Sequence, residues 1–213
     1  MSEVVVFSQG WVEEVVCKVL GKKKGEICQT DIEKIQYLRI GESFDNDFFV
    51  EMSVEEPPMP FVDTDGGDEW GCTCLRNDDL SRFVDEQENE PQLYTFGFDF
   101  EDEELQEYAW SESAAQKWDV YKKSICQSDY YEEIEDYDEW EKWYFKTKEA
   151  LAQELKIFTG VKVLRIKGLE FEDYSFLTEF GQLEVLEVVE TRFNSSAQIE
   201  ELKRLKQLCC WLD

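Results

Sequence analysis

The chain of 213 residues contains no histidine. This absence excludes Ser-His-Asp and Cys-His nucleophilic catalysis, general acid–base chemistry by imidazole, and every zinc motif that uses histidine. The glycine-rich phosphate-binding motifs G-x-x-x-x-G-K and G-x-G-x-x-G are absent as well. We therefore expect a non-enzymatic protein that has no catalytic residue, no cofactor and no bound metal.

Long apolar runs are also lacking, because no stretch approaches 18 uncharged apolar residues. The amino terminus, MSEVVVFSQGW, has no basic region, and its apolar run is too short for a signal peptide. The seven cysteines are odd in number and follow no regular framework, which fits reduced thiols in a reducing compartment. These features predict a cytoplasmic protein without membrane association.

Basic residues are scarce in one part of the chain only. Residues 42–141 contain 32 acidic and five basic residues. Residues 1–41 contain six of each kind, and residues 142–213 contain twelve acidic and eleven basic residues. Nearly all of the net charge of −28 therefore lies in the middle of the chain, between two nearly neutral segments.

A period of 22 residues is present in the carboxyl-terminal third. The apolar pattern L-x-x-L-x-L recurs there at Val161, Leu164 and Ile166, at Leu183, Leu186 and Val188, and at Leu205, Leu208 and Cys210. This period and pattern are typical of leucine-rich repeats, in which each repeat adds one strand and buries its apolar side only by stacking on its neighbours. An amphipathic helix does not explain the pattern, because L-x-x-L-x-L mixes spacings of three and two.

The same spacing occurs near the amino terminus. Ile35, Leu38 and Ile40 form it, and Ile32 lies three residues ahead of it as Phe180 lies ahead of Leu183. Ahead of it, an amphipathic segment at residues 11–20 predicts a helix that ends at Gly21. Thr30 and Glu33 have the spacing of a capping box.

Residues 1–41 and 155–213 together resemble the amino-terminal helical cap and repeats of the bacterial internalin-like leucine-rich-repeat family. The resemblance covers under half of the chain and implies a short solenoid with parallel strands. The family usually has an asparagine eight residues after the first leucine of the strand pattern, where this chain has Leu169 and Thr191. We therefore expect an irregular solenoid and transfer no binding site from the family.

The middle of the chain, residues 42–154, predicts an acidic, aromatic-rich α+β insert. Its strand-like patterns are Phe49, Met52 and Val54, and Leu93, Phe96 and Phe98. Their distances do not fit 22, so degenerate repeats and an inserted β-region are both open. From Glu101 to Phe158 the pattern becomes helical, and Asp129 with Glu132 predicts the start of a long helix. One face of this helix has a heptad-like spacing, formed by Ile134, Tyr137, Glu141, Tyr144, Lys148, Leu151 and Leu155.

The expected fold class is therefore α/β, a short irregular leucine-rich-repeat solenoid with parallel strands plus the acidic α+β insert. Residues 1–41 would form the helical cap and first repeat. Residues 42–154 would form the insert, and residues 155–213 the carboxyl-terminal repeats.

One candidate partner-binding surface is the concave face of the predicted repeat sheet. Side chains between the inward-pointing leucines would line it, and the candidates are Tyr37, Arg39, Arg165, Lys167, Glu187 and Trp211. Exposed rows of mixed aromatic and charged residues bind partners in many repeat proteins. The alternative is that the acidic insert folds back and covers this face, because several of these residues are basic.

A second candidate surface lies in the acidic insert. Its proposed residues are Glu132, Glu133, Glu135, Asp136, Trp140 and Trp143. Such a surface either is simply solvated, attracts a basic protein over long range, or imitates the phosphates of a nucleic acid. Direct binding of nucleic acid is excluded by repulsion between like charges.

The charge pattern favours a protein-binding function, such as an inhibitor or an immunity-type protein that neutralises a basic partner. The alternative is a nucleic-acid mimic that blocks a DNA- or RNA-binding protein.

The acidic loop at residues 63–69 contains carboxylates of the kind that bind calcium. It lacks the spacing of an EF-hand, since Cys74 occupies the position where the twelfth-residue glutamate would stand. Cys72 and Cys74 form C-x-C without a second pair at zinc-ribbon spacing. We therefore expect residues 63–69 to form a solvated loop, and Cys72 and Cys74 to be ordinary thiols.

Overall fold

A computed structural model of the chain describes residues 4–42, 47–55, 72–76, 95–96, 120, 123–189, 191 and 201–210. Within these ranges the fold is mixed α/β and contains one open, partly parallel sheet. The helices are α1 (Gly10–Leu20), α2 (Gln29–Ile32) and α3 (Tyr137–Leu155), and a 3₁₀ helix spans Ser175–Glu179. The strands are β1 (Tyr37–Glu42), β2 (Phe48–Ser53), β3 (Cys72–Arg76), β4 (Thr95–Phe96), β5 (Cys126–Tyr130), β6 (Val163–Lys167), β7 (Val185–Val189) and β8 (Gln207–Cys210). None of the helices in these ranges is long and apolar enough to cross a membrane.

Four neighbouring strands of the sheet, β1, β6, β7 and β8, run parallel to one another. The register places one leucine from each strand in a single row across the sheet, namely Leu38, Leu164, Leu186 and Leu208. All four side chains are fully buried. The predicted inward-pointing row of leucines is therefore confirmed.

The same backbone hydrogen bond joins each of these strands to the next. The Lys162 N–H donates to the Gln36 carbonyl oxygen, the Glu184 N–H to the Lys162 carbonyl, and the Lys206 N–H to the Glu184 carbonyl, each at 2.8 Å. The last two bonds link residues 22 apart, as the sequence period requires. Equivalent residues thus enter each strand with the same backbone geometry.

Strands from the predicted insert pair with both sides of this parallel group, and they do so in antiparallel fashion. Strand β2 pairs with β1, and β3 pairs with β8. The outer strands β5 and β4 then pair with β2 and β3. A repeat strand would run parallel to its neighbours, so this topology favours an inserted β-region over degenerate repeats.

The predicted pattern of β2 is correct at Met52 and wrong at Phe49 and Val54. The inward-pointing residues are Phe48, Val50 and Met52, all fully buried, whereas Phe49 lies on the opposite face of the sheet. Val54 follows the strand and is 37% exposed. An antiparallel partner fixes β2, so its register does not follow the L-x-x-L-x-L spacing of the repeats.

The amino-terminal helix agrees with its prediction. Helix α1 ends at Leu20, and Gly21 has the left-handed backbone conformation, with φ of 62°, that glycine adopts without steric cost. The predicted capping box at Thr30 and Glu33 is wrong. Cys28 is the N-cap of α2, and the Asp31 carboxylate accepts a hydrogen bond from the Cys28 backbone N–H at 3.1 Å.

The long helix begins later than predicted. Asp129 lies in strand β5, and the carboxylate of Asp136 caps α3 by accepting a hydrogen bond from the Glu139 N–H at 3.0 Å. The predicted heptad face is buried only in its second half, at Leu151 and Leu155. Pairing with β2 holds residues 126–130 in a strand although their local pattern is helical.

One hydrophobic cluster joins the two ends of the chain with the insert. It contains residues of α1, of the parallel strands, of β2 and of the second half of α3. Phe48 of β2 contacts both Trp143 and Tyr144 of α3, with ring centroids 5.7 and 5.2 Å apart. Helices α1 and α3 therefore cover the face of the sheet that bears the leucines, and the other face bears the charged residues.

Candidate partner-binding surfaces

The face of the sheet opposite the helices carries a row of four charged residues. The register places Glu51 of β2 beside Arg39 of β1, Arg39 beside Arg165 of β6, and Arg165 beside Glu187 of β7. We call this row, together with Tyr37 and Lys167 on the same face, the concave-face row. Here the strands bring together residues that are up to 150 positions apart in the sequence.

Four charges of the concave-face row are paired within the molecule, Arg39 with Glu51 and Arg165 with Glu187. Arg39 Nη1 lies 3.1 Å from Glu51 Oε2, and Arg165 Nε lies 2.8 Å from Glu187 Oε2. The four side chains are only 14–20% exposed. Pairs this close and this well shielded from water neutralise each other, so these four residues present little net charge to a partner.

Aromatic groups cover further parts of this face. The guanidinium of Arg39 lies 5.2 Å from the ring centroid of Phe49. The same ring lies over Gly41, where an added Cβ would come within 2.5 Å of it. Tyr37 is 9% exposed, and its burial, with the Glu51 carboxylate nearby, raises its pKa.

We expected these residues to form an open, exposed row, and this prediction is wrong for Tyr37, which is buried. Arg39, Arg165 and Glu187 are mostly buried as well. Part of the cause is β2 of the insert, which supplies Glu51 and Phe49 to this face. The alternative that the insert folds onto the basic residues is thus realised at Arg39.

The second candidate surface lies at the start of α3 and in the segment before it. We define the acidic aromatic face as Glu132, Glu133, Glu135, Asp136, Tyr137 and Trp140. The four carboxylate residues are exposed, as are Asp138, Glu139 and Glu141 just beyond them. In the part of the chain that the structure describes, none of these carboxylates forms an ion pair.

A ladder of stacked rings runs through this surface into the core. It starts at the fully buried Phe48 and continues through Tyr144 and Trp140 to Tyr137, which is 69% exposed. Successive ring centroids are 5.2, 5.3 and 5.8 Å apart. The spacing of residues 137, 140 and 144 places them on one side of a helix. The exposed rings are therefore held by packing against buried ones.

Trp143 does not belong to this surface, although we expected it there. It packs against Phe48 and against Tyr130 of β5, at 5.7 and 5.8 Å between ring centroids. Its indole nitrogen is buried without a hydrogen-bond partner among the described residues. The sequence did not reveal this because Trp140 and Trp143 are one helical turn apart and only tertiary packing separates them.

Polar contacts hold the second half of α3 against the amino-terminal part of the chain. The buried Glu154 carboxylate accepts hydrogen bonds from the Ser8 backbone N–H, at 2.9 and 3.1 Å, and from the Ser8 hydroxyl. Gln29 Nε2 donates to the Ile157 carbonyl oxygen at 2.9 Å, just after the helix. These contacts, with the burial of Leu151 and Leu155, fix the direction of the helix that carries the acidic aromatic face.

One further bond connects the helix to the sheet. The Tyr144 hydroxyl donates to Glu42 Oε2 at 2.5 Å, at the end of β1. Burial raises the pKa of Glu42, and the hydrogen bond from Tyr144 opposes that increase. Burial and the same carboxylate raise the pKa of Tyr144. The ring ladder thus has a polar link to the parallel strands.

Several predicted residues lie outside the described ranges. Trp211 is one, and the acidic loop at 63–69 is another. Leu93 and Phe98 are also outside them, whereas Phe96 lies in β4. Among the described residues, no group of three or more acidic or cysteine side chains has the arrangement of a metal site.

Sequence reasoning missed two members of these surfaces. Glu51 was not recognised because its partner, Arg39, is twelve residues away, and only the hairpin of β1 and β2 places the two side by side. The residues expected in the acidic surface did not include Tyr137, which is 69% exposed. Its position amid seven acidic and no basic residues at 132–141 was a signal that this turn is solvated.

Comparisons of this chain with protein-family models, with curated proteins and with solved structures found no match.

Proposed function

We propose that this chain is a non-enzymatic protein that binds a basic protein partner through its acidic aromatic face. The observation that carries the proposal is the contrast in charge pairing. The carboxylates of this face are exposed and form no ion pair with the described residues, whereas two Arg–Glu pairs of the concave-face row neutralise each other. Unpaired exposed carboxylates attract cations over a longer range than paired ones do.

Preorganisation of the rings supports a protein partner in particular. Trp140 and Tyr137 belong to a ladder that starts in the core, so binding would cost little additional side-chain entropy. Aromatic residues surrounded by polar ones are typical of protein interfaces. A nucleic-acid mimic would depend mainly on the carboxylates, and the ring ladder would then have no role.

For the fold, we propose that β1, β6, β7 and β8 form a short leucine-rich-repeat solenoid, similar to internalin-like proteins. The matched leucine row and the repeated backbone bond at 22-residue intervals support this proposal. The antiparallel strands β2 and β3 would then close the two sides of the solenoid. The role of the solenoid in binding would be to hold α3 rather than to contact the partner.

A partner of this kind would be neutralised as an inhibitor or immunity-type protein neutralises its target, because the acidic face would cover the target's basic surface. The competing proposal is a mimic that occupies the nucleic-acid site of a DNA- or RNA-binding protein. The two differ in their dependence on the rings, which gives the experiment its design.

The experiment compares two variants that change net charge equally. The first carries E132K, E133K and E135K and leaves Asp136 in place, because its carboxylate caps α3. The matched control carries E26K, E33K and E172K, which are exposed residues remote from α3 in the sequence. Wild-type protein first captures its partner from the native cell extract, and association rates of the purified pair are then measured.

At low salt we expect the first variant to associate about tenfold or more slowly, because steering by local charge accelerates encounter by that order. The control should stay close to wild type. Raising the ionic strength to 1 M, where the screening length falls to about 3 Å, should remove most of the difference. Equal slowing in both variants would refute a local binding face. If a Trp140→Leu variant still captures the partner, and duplex DNA displaces the protein from that partner, the result would favour the nucleic-acid mimic.

A further inference from the structure

We propose that the acidic aromatic face recognises arginine side chains, so that its partner presents an arginine-rich segment. In this arrangement a guanidinium stacks on the Tyr137–Trp140 pair while its N–H groups bond carboxylates beside the rings. The inference rests on the proposed function, that this face binds a basic protein. It adds which cation is preferred and which two rings select it.

The rings are placed to receive a flat cation. Tyr137 and Trp140 are stacked, with an interplanar angle of 30° and centroids 5.8 Å apart. Trp140 in turn stacks on Tyr144 at 28°, and Tyr144 packs on the buried Phe48. The Tyr137 side chain is largely exposed. Because Trp140 already stacks on both Tyr137 and Tyr144, the ring face that the ladder leaves to a ligand is that of Tyr137, and an aromatic face held in place from below is favourable for cation–π contact.

The chain itself shows that rings of this helix take up a cation. Lys148 Nζ lies 4.9 Å from the Phe145 centroid and 5.3 Å from the Tyr144 centroid. That contact occurs about one turn beyond Trp140. Among the described residues, no cation of the chain contacts Tyr137 or Trp140. Among the described residues, a cation of the chain therefore contacts the neighbouring Tyr144 and Phe145 rings and none contacts the solvent-facing end of the ladder at Tyr137.

Carboxylates lie on either side of this ring pair. Asp136 precedes Trp140 by four residues and Glu141 follows Tyr137 by four, so both are surface neighbours of the rings on the helix. Both are exposed, and neither has an ion-pair partner in the part of the chain that the structure describes. A ligand cation on the rings would be within reach of negative charge from two directions.

This combination favours arginine over lysine for a physical reason. The guanidinium is planar and weakly hydrated, so it can stack on a ring and still direct its in-plane N–H groups at carboxylates. A lysine ammonium is a strongly hydrated point charge and makes the two contacts less well together. A surface that acted by net charge alone would not distinguish them.

The test uses two peptides of equal length and charge, nona-arginine and nona-lysine, titrated against the full chain at low and moderate salt. We expect the arginine peptide to bind about tenfold more tightly, the size expected of a partly desolvated cation–π contact. The variant Y137L/W140L keeps every charge, and it should lose this preference while retaining salt-sensitive binding of the lysine peptide. The matched control is F145L, since Phe145 is an exposed aromatic residue of α3 outside the ring ladder.

The outcomes separate this inference from the proposed function. Equal affinities for the two peptides, both reduced by E132K/E133K/E135K, would overturn the preference for arginine and leave binding of a basic partner in place. A preference that survives in Y137L/W140L, or that F145L removes equally, would also overturn it. Failure of both peptides to bind at low salt would overturn both proposals. Unfolding curves of each variant show whether a loss of binding reflects a loss of fold.

Discussion

The concave-face row and the acidic aromatic face are both rich in charge, and they differ in where the opposite charge is found. In the row, Arg39 lies beside Glu51 and Arg165 beside Glu187, and the side chains are largely shielded from water. On the helix face, the carboxylates are exposed and have no such partner among the described residues. The density of charged residues in a sequence therefore does not show how much charge a surface presents to solvent, because that also depends on how the charges are paired.

Strand pairing accounts for the difference. Neighbouring strands lie about 4.8 Å apart, so a sheet places residues from distant parts of the chain side by side, and opposite charges can meet. A helix brings together only residues three or four positions apart. No basic residue lies within four positions of Glu132, Glu133, Glu135 or Asp136, so these four carboxylates have no local partner. The unpaired surface is thus a consequence of one-sided local composition.

The largest effect we expect is from Leu186→Ala, which removes a fully buried side chain from the leucine row that supports both surfaces. Truncation of a buried leucine leaves a cavity and should lower the free energy of unfolding by about 2–5 kcal/mol. Chemical denaturation monitored by circular dichroism measures this. Val6→Ala is the control, because Val6 is 88% exposed and its loss should change stability by less than about 0.5 kcal/mol. A cost below that for Leu186→Ala would contradict the placement of β7 in the core.

A smaller effect is expected from Glu51→Gln in the concave-face row. The change leaves the guanidinium of Arg39, which is 20% exposed, without its opposite charge. Since the pair is not completely buried, the loss should be about 1–3 kcal/mol, less than for a fully buried pair. Glu172→Gln, at an exposed position, is the matched control.

The same variant distinguishes the roles of the two surfaces, because we expect Glu51→Gln to lower stability without changing binding. If the row only stabilises the fold, Glu51→Gln should leave the association rate with the partner unchanged once the protein is folded. If Glu51→Gln is folded but binds the partner about tenfold more weakly, the concave-face row would be the binding surface and the proposal for the acidic aromatic face would be wrong.

The smallest effect is expected where the two regions meet, at the hydrogen bond between Tyr144 and Glu42. Tyr144→Phe removes the donor and should cost about 1 kcal/mol at neutral pH, as for a typical hydrogen bond. Tyr137→Phe is the control, because no hydrogen bond of its hydroxyl is present among the described residues.

The pH dependence of this variant follows from the pKa of Glu42. Burial raises that pKa above its ordinary value of 4.5, so the folded state binds more protons than the unfolded state just above this pH. The contribution of Glu42 to the free energy of unfolding consequently decreases as pH rises through the window between its pKa in the unfolded state and its raised pKa in the folded state. The hydrogen bond from Tyr144 opposes the increase in pKa, and its removal enlarges the window. The destabilisation by Tyr144→Phe should therefore be larger at pH 7 than at pH 4, and equal values at both would contradict this account.

Repetition made part of the fold predictable. Three copies of one pattern at a fixed interval identify equivalent positions, and Leu164, Leu186 and Leu208 lie in one buried row as that equivalence requires. The helix ending at Gly21 was predictable for a local reason, because only glycine adopts the left-handed conformation there without strain. Both predictions depend on patterns that can be recognised in the sequence without knowing which distant residues are in contact.

The predictions that failed depended on contacts distant in sequence. Residues 126–130 have a helical pattern and form a strand because β2 supplies their hydrogen-bond partners. Phe49 fits the repeat spacing, yet the antiparallel hairpin with β1 directs Phe48 inward instead. Trp143 and Trp140 are alike in sequence, and only the positions of Phe48 and Tyr130 assign the former to the core.

The sequence by itself determined the spacing of the parallel strands, the apolar row that they bury and the acidic composition of the insert, because these are periodic or local properties. Only the tertiary structure decided which charges are neutralised and which aromatic rings stay exposed. Whether Arg39 is available to a partner depends on Glu51 and Phe49, and whether Tyr137 is held in place depends on a ladder of rings that ends at Phe48. Such pairings depend on distances in space, and separation along the chain does not encode them.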